Sequence, residues 1–180
     1  VQSAAADLLN QAKILNPTIK ACKAVIKTSQ DCSEQLDQAI LSLLSKGDFK
    51  HPEMTKTVAE HQADMIAASK TIAQKAAVLT NEASRNNYQQ ATTAVYDLEK
   101  DLVGFADLAT LVASVRDDHN SKLSLLEMSK NLADSLSNLI NCVESFDSLD
   151  KKAEEALNTA QLDVSDLSGN ILNELQSGFQ

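Results

Sequence analysis

Apolar side chains recur every three or four residues along most of this chain, with polar ones between them. At roughly 100° per residue, that spacing lines one face of an α-helix. The stripe densest in large apolar side chains falls in 121–146. Leu125, Met128, Leu132, Leu136, Leu139, Ile140, Val143 and Phe146 share a face there, and Glu127, Lys130, Asp134, Asn138 and Glu144 occupy the other. Such a stripe cannot stay in water, so the rest of the chain has to cover it. The cleanest repeat runs from 88 to 116, through Tyr88, Ala91, Val95, Leu98, Leu102, Phe105, Ala109 and Val112.

The remaining segments read the same way. A first helix spans about 2–28, with Ala5, Leu8, Ala12, Leu15, Ile19, Cys22 and Ile26 inward. Pro17 either kinks it or opens a new helix capped by Asn16. Asp31 followed by Glu34 reads as a capping box for a short second helix, which has Leu36, Ile40, Leu43 and Leu44 inward and Gly47 as its C′ residue. Pro52 sits where an N1 proline would open a third helix to Thr80, with Met54, Val58, His61, Met65, Ala68, Ile72 and Leu79 inward. A polar break covers 81–87, and Asp117-Asp118-His119-Asn120 forms a turn. Ser148 is the expected N-cap of the last helix, whose inward positions are Leu149, Ala153, Ala156, Ala160, Val164, Leu167, Ile171 and Leu175. Gly169 weakens that helix by up to about 1 kcal/mol relative to Ala.

These elements predict an all-α fold: one domain over 1–180, an elongated up-and-down bundle of five long helices plus one short helix. Short loops would set sequential helices antiparallel at crossings of about 20°, and helices of this length give a rod of roughly 40 to 48 Å. Composition agrees. The chain has no Trp, 3% aromatic residues, 4 Gly and 2 Pro, a poor supply for strands and the turns they need.

A net charge of −9 repels phosphate, so nucleic acid is excluded as a partner, and so is general attraction to anionic membranes. No apolar run reaches the length of about 18 residues that would span a bilayer. The start Val1-Gln2-Ser3 shows neither an initiator Met nor a signal peptide, as expected of a fragment or a processed form. Cys22, Cys32 and Cys142 are odd in number and lack a CxxC spacing, with Cys22 and Cys142 on apolar stripes. The one Asn-x-Thr acceptor, Asn16-Pro17-Thr18, is blocked by its proline. Both features point to a reducing compartment.

Candidate chemistry is sparse. His51 and His119 fall in predicted loops without a second ligand at metal spacing, and the Asp117–Asn120 cluster is a turn before it is a cation site. His61 lies on an inward stripe, either bonded to a carbonyl or hydroxyl of a neighbouring helix or serving as a pH-sensitive point in the bundle. Glu60 adjoins it, so the inward Glu-x-x-His of di-iron bundles is missing. No phosphate loop, GxSxG or HExxH occurs. The reading is therefore non-enzymatic, with no cofactor and no metal. Lys13, Lys20, Lys27 and nearby Lys23 form a basic face, either solvated among acidic helices or turned to an acidic partner.

An acidic, Trp-free bundle rich in Ala, Leu and Ser resembles the rod bundles of talin and, more loosely, the vinculin and α-catenin superfamily. The 121–146 helix also resembles a talin-type vinculin-binding helix, through Leu125, Met128-Ser129, Leu132-Ala133, Leu136, Leu139-Ile140 and Val143. Met128-Ser129 departs from the usual pair of alanines, and Val143 from a smaller residue. The resemblance implies a cytoplasmic, cytoskeleton-associated scaffold in adhesion. Leu125, Met128, Leu132, Ala133, Leu136, Leu139, Ile140 and Val143 would then enter the groove of a vinculin-like head domain, with F-actin a further partner. The actin-binding signature of the talin C-terminal module is not recognisable. An ordinary core helix meets the same pattern. So does a different class of protein: a secreted bundle whose small Ala side chains leave a tunnel for a fatty acid or other apolar ligand. A ligand-sensing domain of a bacterial receptor is a third reading, and it would need flanking transmembrane segments.

Overall fold

The computed structural model describes residues 2–177, with side chains described at Ala5 and from Pro17 onward. Leu8, Ala12, Leu15, Lys13 and the proposed cap Asn16 lie outside the described side chains, and Ala5 is exposed rather than inward. The described residues form five α-helices and no strand: α1 (Gln2–Lys46), α2 (Val58–Ser84), α3 (Tyr88–Ser114), α4 (His119–Glu144) and α5 (Lys151–Ser177).

The short helix expected after Asp31 does not exist as a separate element. α1 passes through Pro17 and continues to Lys46. Between Thr18 and Lys46 there is no Gly or Pro, and Cys22, Val25, Cys32, Leu36, Ile40 and Leu43 keep one buried stripe across the expected break. Ser29 donates back to the carbonyls of Val25 and Ile26, at 2.8 and 3.1 Å, instead of opening a new turn. Continuing the stripe outweighs a local capping signal at Asp31. Leu44, expected inward, is 57% exposed. Gly47 ends α1 as expected: its φ is +73°, and its N–H donates to the Leu43 carbonyl at 2.9 Å.

α2 starts at Val58, six residues beyond Pro52. Its N-cap is Thr57, whose hydroxyl accepts from the Glu60 N–H at 3.1 Å. Thr57-Val-Ala-Glu60 is therefore a capping-box sequence that the proline obscured. Met54 and Val58 are exposed, and the buried face begins at His61. The polar break is a tight C-cap in which Asn86 takes φ 60°. The Asn87 N–H donates to the Glu82 carbonyl and the Asn86 N–H to Ala83, a Schellman pattern with asparagine in the glycine position. At α5, Asp150 rather than Ser148 caps the helix, accepting from the Lys152 N–H at 3.0 Å. Moving the start shifts the face. Leu149 is 92% exposed and Ala156 is exposed, while Leu157, Ala160, Val164, Ile171 and Leu175 are buried.

The helices alternate in direction, but sequence neighbours are not always packing neighbours. α1 lies against α4 and α3, α2 against α3 and α5, and α4 against α1, α5 and α3. Among the described residues α1 and α2 are not packing neighbours, contrary to the expectation for sequential helices. The linker 47–57 instead crosses the end of α3, burying Phe49 and setting His51 and Pro52 beside a groove shared with Thr110. Cross-helix bonds fix the directions. Thr18–Thr92, Thr28–Glu99 and Gln35–Asp107 run α1 parallel to α3. Ser33–Asp134 and Lys23–Glu144 run it antiparallel to α4.

Candidate functional site

α4 is built to start sharply. Asp118 is its N-cap, with extended backbone, and its carboxylate accepts from the Ser121 N–H at 2.7 Å and from the Ser121 hydroxyl at 3.2 Å. Those bonds, led by the backbone one, hold the Asp118 carboxyl below its ordinary pKa. His119 and Asn120 therefore form the first turn of α4, not a loop as expected, and the four polar residues act as a helix start.

The structure places every residue predicted for the partner face. Leu125, Leu132, Ala133, Leu136, Leu139 and Ile140 are fully buried, Val143 is nearly so, and Met128 is half-buried against the core. Ser129 and, beyond the sequence pattern, Leu126 are fully buried beside them. The signal for Leu126 was the Leu125-Leu126 pair, which widens the stripe beyond one 3-4 track. A wide stripe suits a helix touched on several sides, and α4 meets α1, α3, α5 and, more lightly, α2. Ser129 is tolerated there because its hydroxyl donates to the Leu125 carbonyl at 2.7 Å.

Polar attachment of α4 is thin. Among the described residues, Ser33 of α1 donates to the Asp134 carboxylate at 2.5 Å, and Lys23 of α1 stands 4.0 Å from Glu144 at the surface. Towards α5, α3 and α2 the contact is apolar. Apolar attraction is non-directional, so a helix held this way can trade one apolar groove for another without leaving buried donors unpaired.

The other residues singled out from the sequence do not converge. His51 is exposed, and its Nδ1 sits 2.8 Å from the Pro52 carbonyl. His61 is buried, but its partners differ from those expected. Nε2 accepts from the Thr55 and Lys56 N–H groups, at 3.3 and 3.2 Å, so the ring ties down the segment before its own helix, not a neighbouring one. No three His, Cys, Asp or Glu side chains gather at ligand distance among the described residues. Burial pushes the Cys22 thiol up to about 12, with Glu144 adding to it, and Cys32 up to about 11; Cys142 is raised by burial too. All three are protonated at neutral pH and serve as small core side chains. Lys20 and Lys27 are exposed, and Lys23 stands 4.0 Å from Glu144 of α4.

No described helix is long and apolar enough to cross a membrane. In comparison with known proteins, residues 19–177 match the talin 1-like rod segment domain, whereas no curated protein matches the chain.

Proposed function

Because the chain belongs to the talin 1-like rod segment domain family, we propose that it is a non-enzymatic scaffold module of a cytoskeletal adhesion protein. In this reading α4 is a stored ligand, released under load or competition into the apolar groove of a vinculin-like head domain. The observation that carries it is the position of α4. Its stripe is buried between α1 and α5, which run parallel to each other, antiparallel to α4 and, among the described residues, out of mutual contact. The start of the described α1 side chains lies by Tyr88 and the end of α5 by Gln62, at opposite ends of the bundle. Tension between those ends would load the seams between α4 and its flanking helices in shear, and the seam that yields uncovers its face.

The apolar-ligand reading lacks an observation in its favour. A tunnel would run along the axis, but Leu98, Leu102, Phe105, Leu132 and Leu136 fill that space and are fully buried. The apolar pocket lined by Ile19, Tyr88, Val143 and Phe146 measures about 10 Å³, room for one water at most and far too small for a fatty acid.

The test is binding of a 121–146 peptide to a vinculin head domain, beside the intact 180-residue chain. Tight binding by the peptide with weak binding by the folded chain is expected. Leu132→Asp or Leu136→Asp should abolish the peptide's binding and destabilise the chain by burying an unpaired charge. A head domain indifferent to the peptide, or to either substitution, refutes the reading. Co-sedimentation with F-actin would show separately whether the bundle surface makes a second contact.

A further inference from the structure

α5 has the smallest apolar anchor of the two helices flanking α4. It buries five apolar side chains in the core, where α1 buries eight among the described residues. Its polar ties are correspondingly concentrated and avoid α4 altogether. The Ser168 hydroxyl donates to the Ser69 carbonyl of α2 at 2.7 Å, inside the core. Buried Gln62 of α2 donates to the Leu175 carbonyl. Arg116, just past α3, pairs with Glu174 at 3.0 Å with both side chains largely covered.

The last two ties have a common logic. Leu175 lies in the last described turn of α5. Its carbonyl accepts from Gln62 of another helix. Arg116 adds positive charge where the helix dipole is negative. The C-terminal turn of α5 is thus tied to two other elements, and undocking it would strand the buried Gln62 amide. The N-terminal half of α5 carries no such tie: from Lys151 to Ala156 the side chains are exposed except half-buried Ala153.

We propose that this clasp, made by Gln62, Arg116 and the Ser69 carbonyl on Ser168, Glu174 and Leu175, is the latch that gates access to α4. When it opens, α5 swings off α4 about the loop 145–150, because among the described residues only apolar contact holds the two helices side by side. α1 stays seated, held by its longer buried stripe and by Thr18, Thr28 and Gln35 on α3. The use of the latch rests on the reading of α4 as a stored ligand; its existence does not.

The test is native-state hydrogen exchange on the whole chain, unmodified and as Gln62→Leu and Glu174→Gln, with Thr18→Val as the comparison. Glu174→Gln removes only a charge, so it serves if Gln62→Leu folds poorly. Losing a buried hydrogen bond of this kind should speed exchange in 157–175 by roughly ten-fold, with amides of α1 and α3 unchanged. Thr18→Val should leave α5 untouched. Acceleration of all five helices together would overturn the latch, because the ties would then add only to global stability; so would unchanged exchange in α5. Binding to the vinculin head domain supplies the separate arm. If clasp variants bind it more tightly than the unmodified chain, the latch gates α4. If α5 opens as expected but neither the chain nor the peptide binds, the latch stands and the stored-ligand reading falls. If the peptide binds and clasp variants leave the chain's affinity unchanged, the gate falls and the stored ligand stands.

Discussion

Leu136 and Leu44 offer one experiment on two similar leucines. Both are helical and both lie on an apolar track by sequence, yet Leu136 is fully buried in α4 and Leu44 is 57% exposed on α1. Replacing Leu136 with Ala removes three carbon groups from the core, and at about 0.8 kcal/mol each the lost transfer energy is about 2.4 kcal/mol. The void adds to this, since helices on several sides of α4 prevent its collapse, and the total should reach about 3 to 4 kcal/mol. At about 2 to 4 °C per kcal/mol for a domain of this size, the melting temperature should fall by roughly 6 to 16 °C. Leu44→Ala should cost less than about 0.5 kcal/mol, because its side chain loses little cover. Urea unfolding followed by far-UV circular dichroism measures both, with unchanged slopes confirming that only stability has moved. Equal losses for the two variants, or a Leu136→Ala cost below about 1 kcal/mol, would refute the assignment of α4 to the centre of the core.

Other expectations follow from local features. Gly169→Ala should stabilise α5 by about 0.5 to 1 kcal/mol, because a Cβ there meets nothing within 4 Å and the helix loses its most flexible residue. Gly47→Ala should do the reverse by about 1 to 2 kcal/mol, although space is equally open, because its φ of +73° is left-handed; chemical denaturation of both variants decides. Asp118 has a folded pKa depressed below its unfolded value by the Ser121 N–H. Its contribution is therefore present above the unfolded pKa of about 3.9 and is lost as pH falls through the folded one. Asp118→Ala should flatten the acid limb of a urea-midpoint titration, and an unaltered limb would remove the cap from that role. Cys142 should react with a thiol reagent before Cys32, and Cys22 last, all three speeding up in denaturant. Fast native labelling of Cys22 would contradict its burial.

The α3 stripe from Ala91 to Val112 was legible because its apolar repeat is regular, and all of it is buried, although Ala94, Ala106, Thr110, Leu111 and Ala113 are buried beside it. The buried face of α4 was legible as well, missing only Leu126. Periodicity specifies which side of a helix is apolar, and burial follows wherever that side has neighbours. What periodicity leaves open is where a helix begins. Asp31 with Glu34 and Thr57 with Glu60 are equivalent capping signals in the sequence, yet one is overrun and the other opens α2. The difference lies in tertiary cover: α3 and α4 bury the α1 stripe across Asp31, whereas the linker before Thr57 crosses a helix end and has no stripe to continue.

The same cause explains the misplaced side chains. Leu44 and Leu149 are apolar and in phase with their stripes, but each lies where no neighbouring helix covers it. His61 found its acceptor role in a linker whose path only packing decides. The order of helices around the bundle, with α1 between α3 and α4 instead of beside α2, likewise depends on which buried surfaces fit together. From the sequence alone came the all-α class, the helix faces and the stripe of α4. The tertiary structure decided the packing neighbours of α4, and with them the polar ties that hold its cover in place, because such ties depend on distances between residues far apart in the chain.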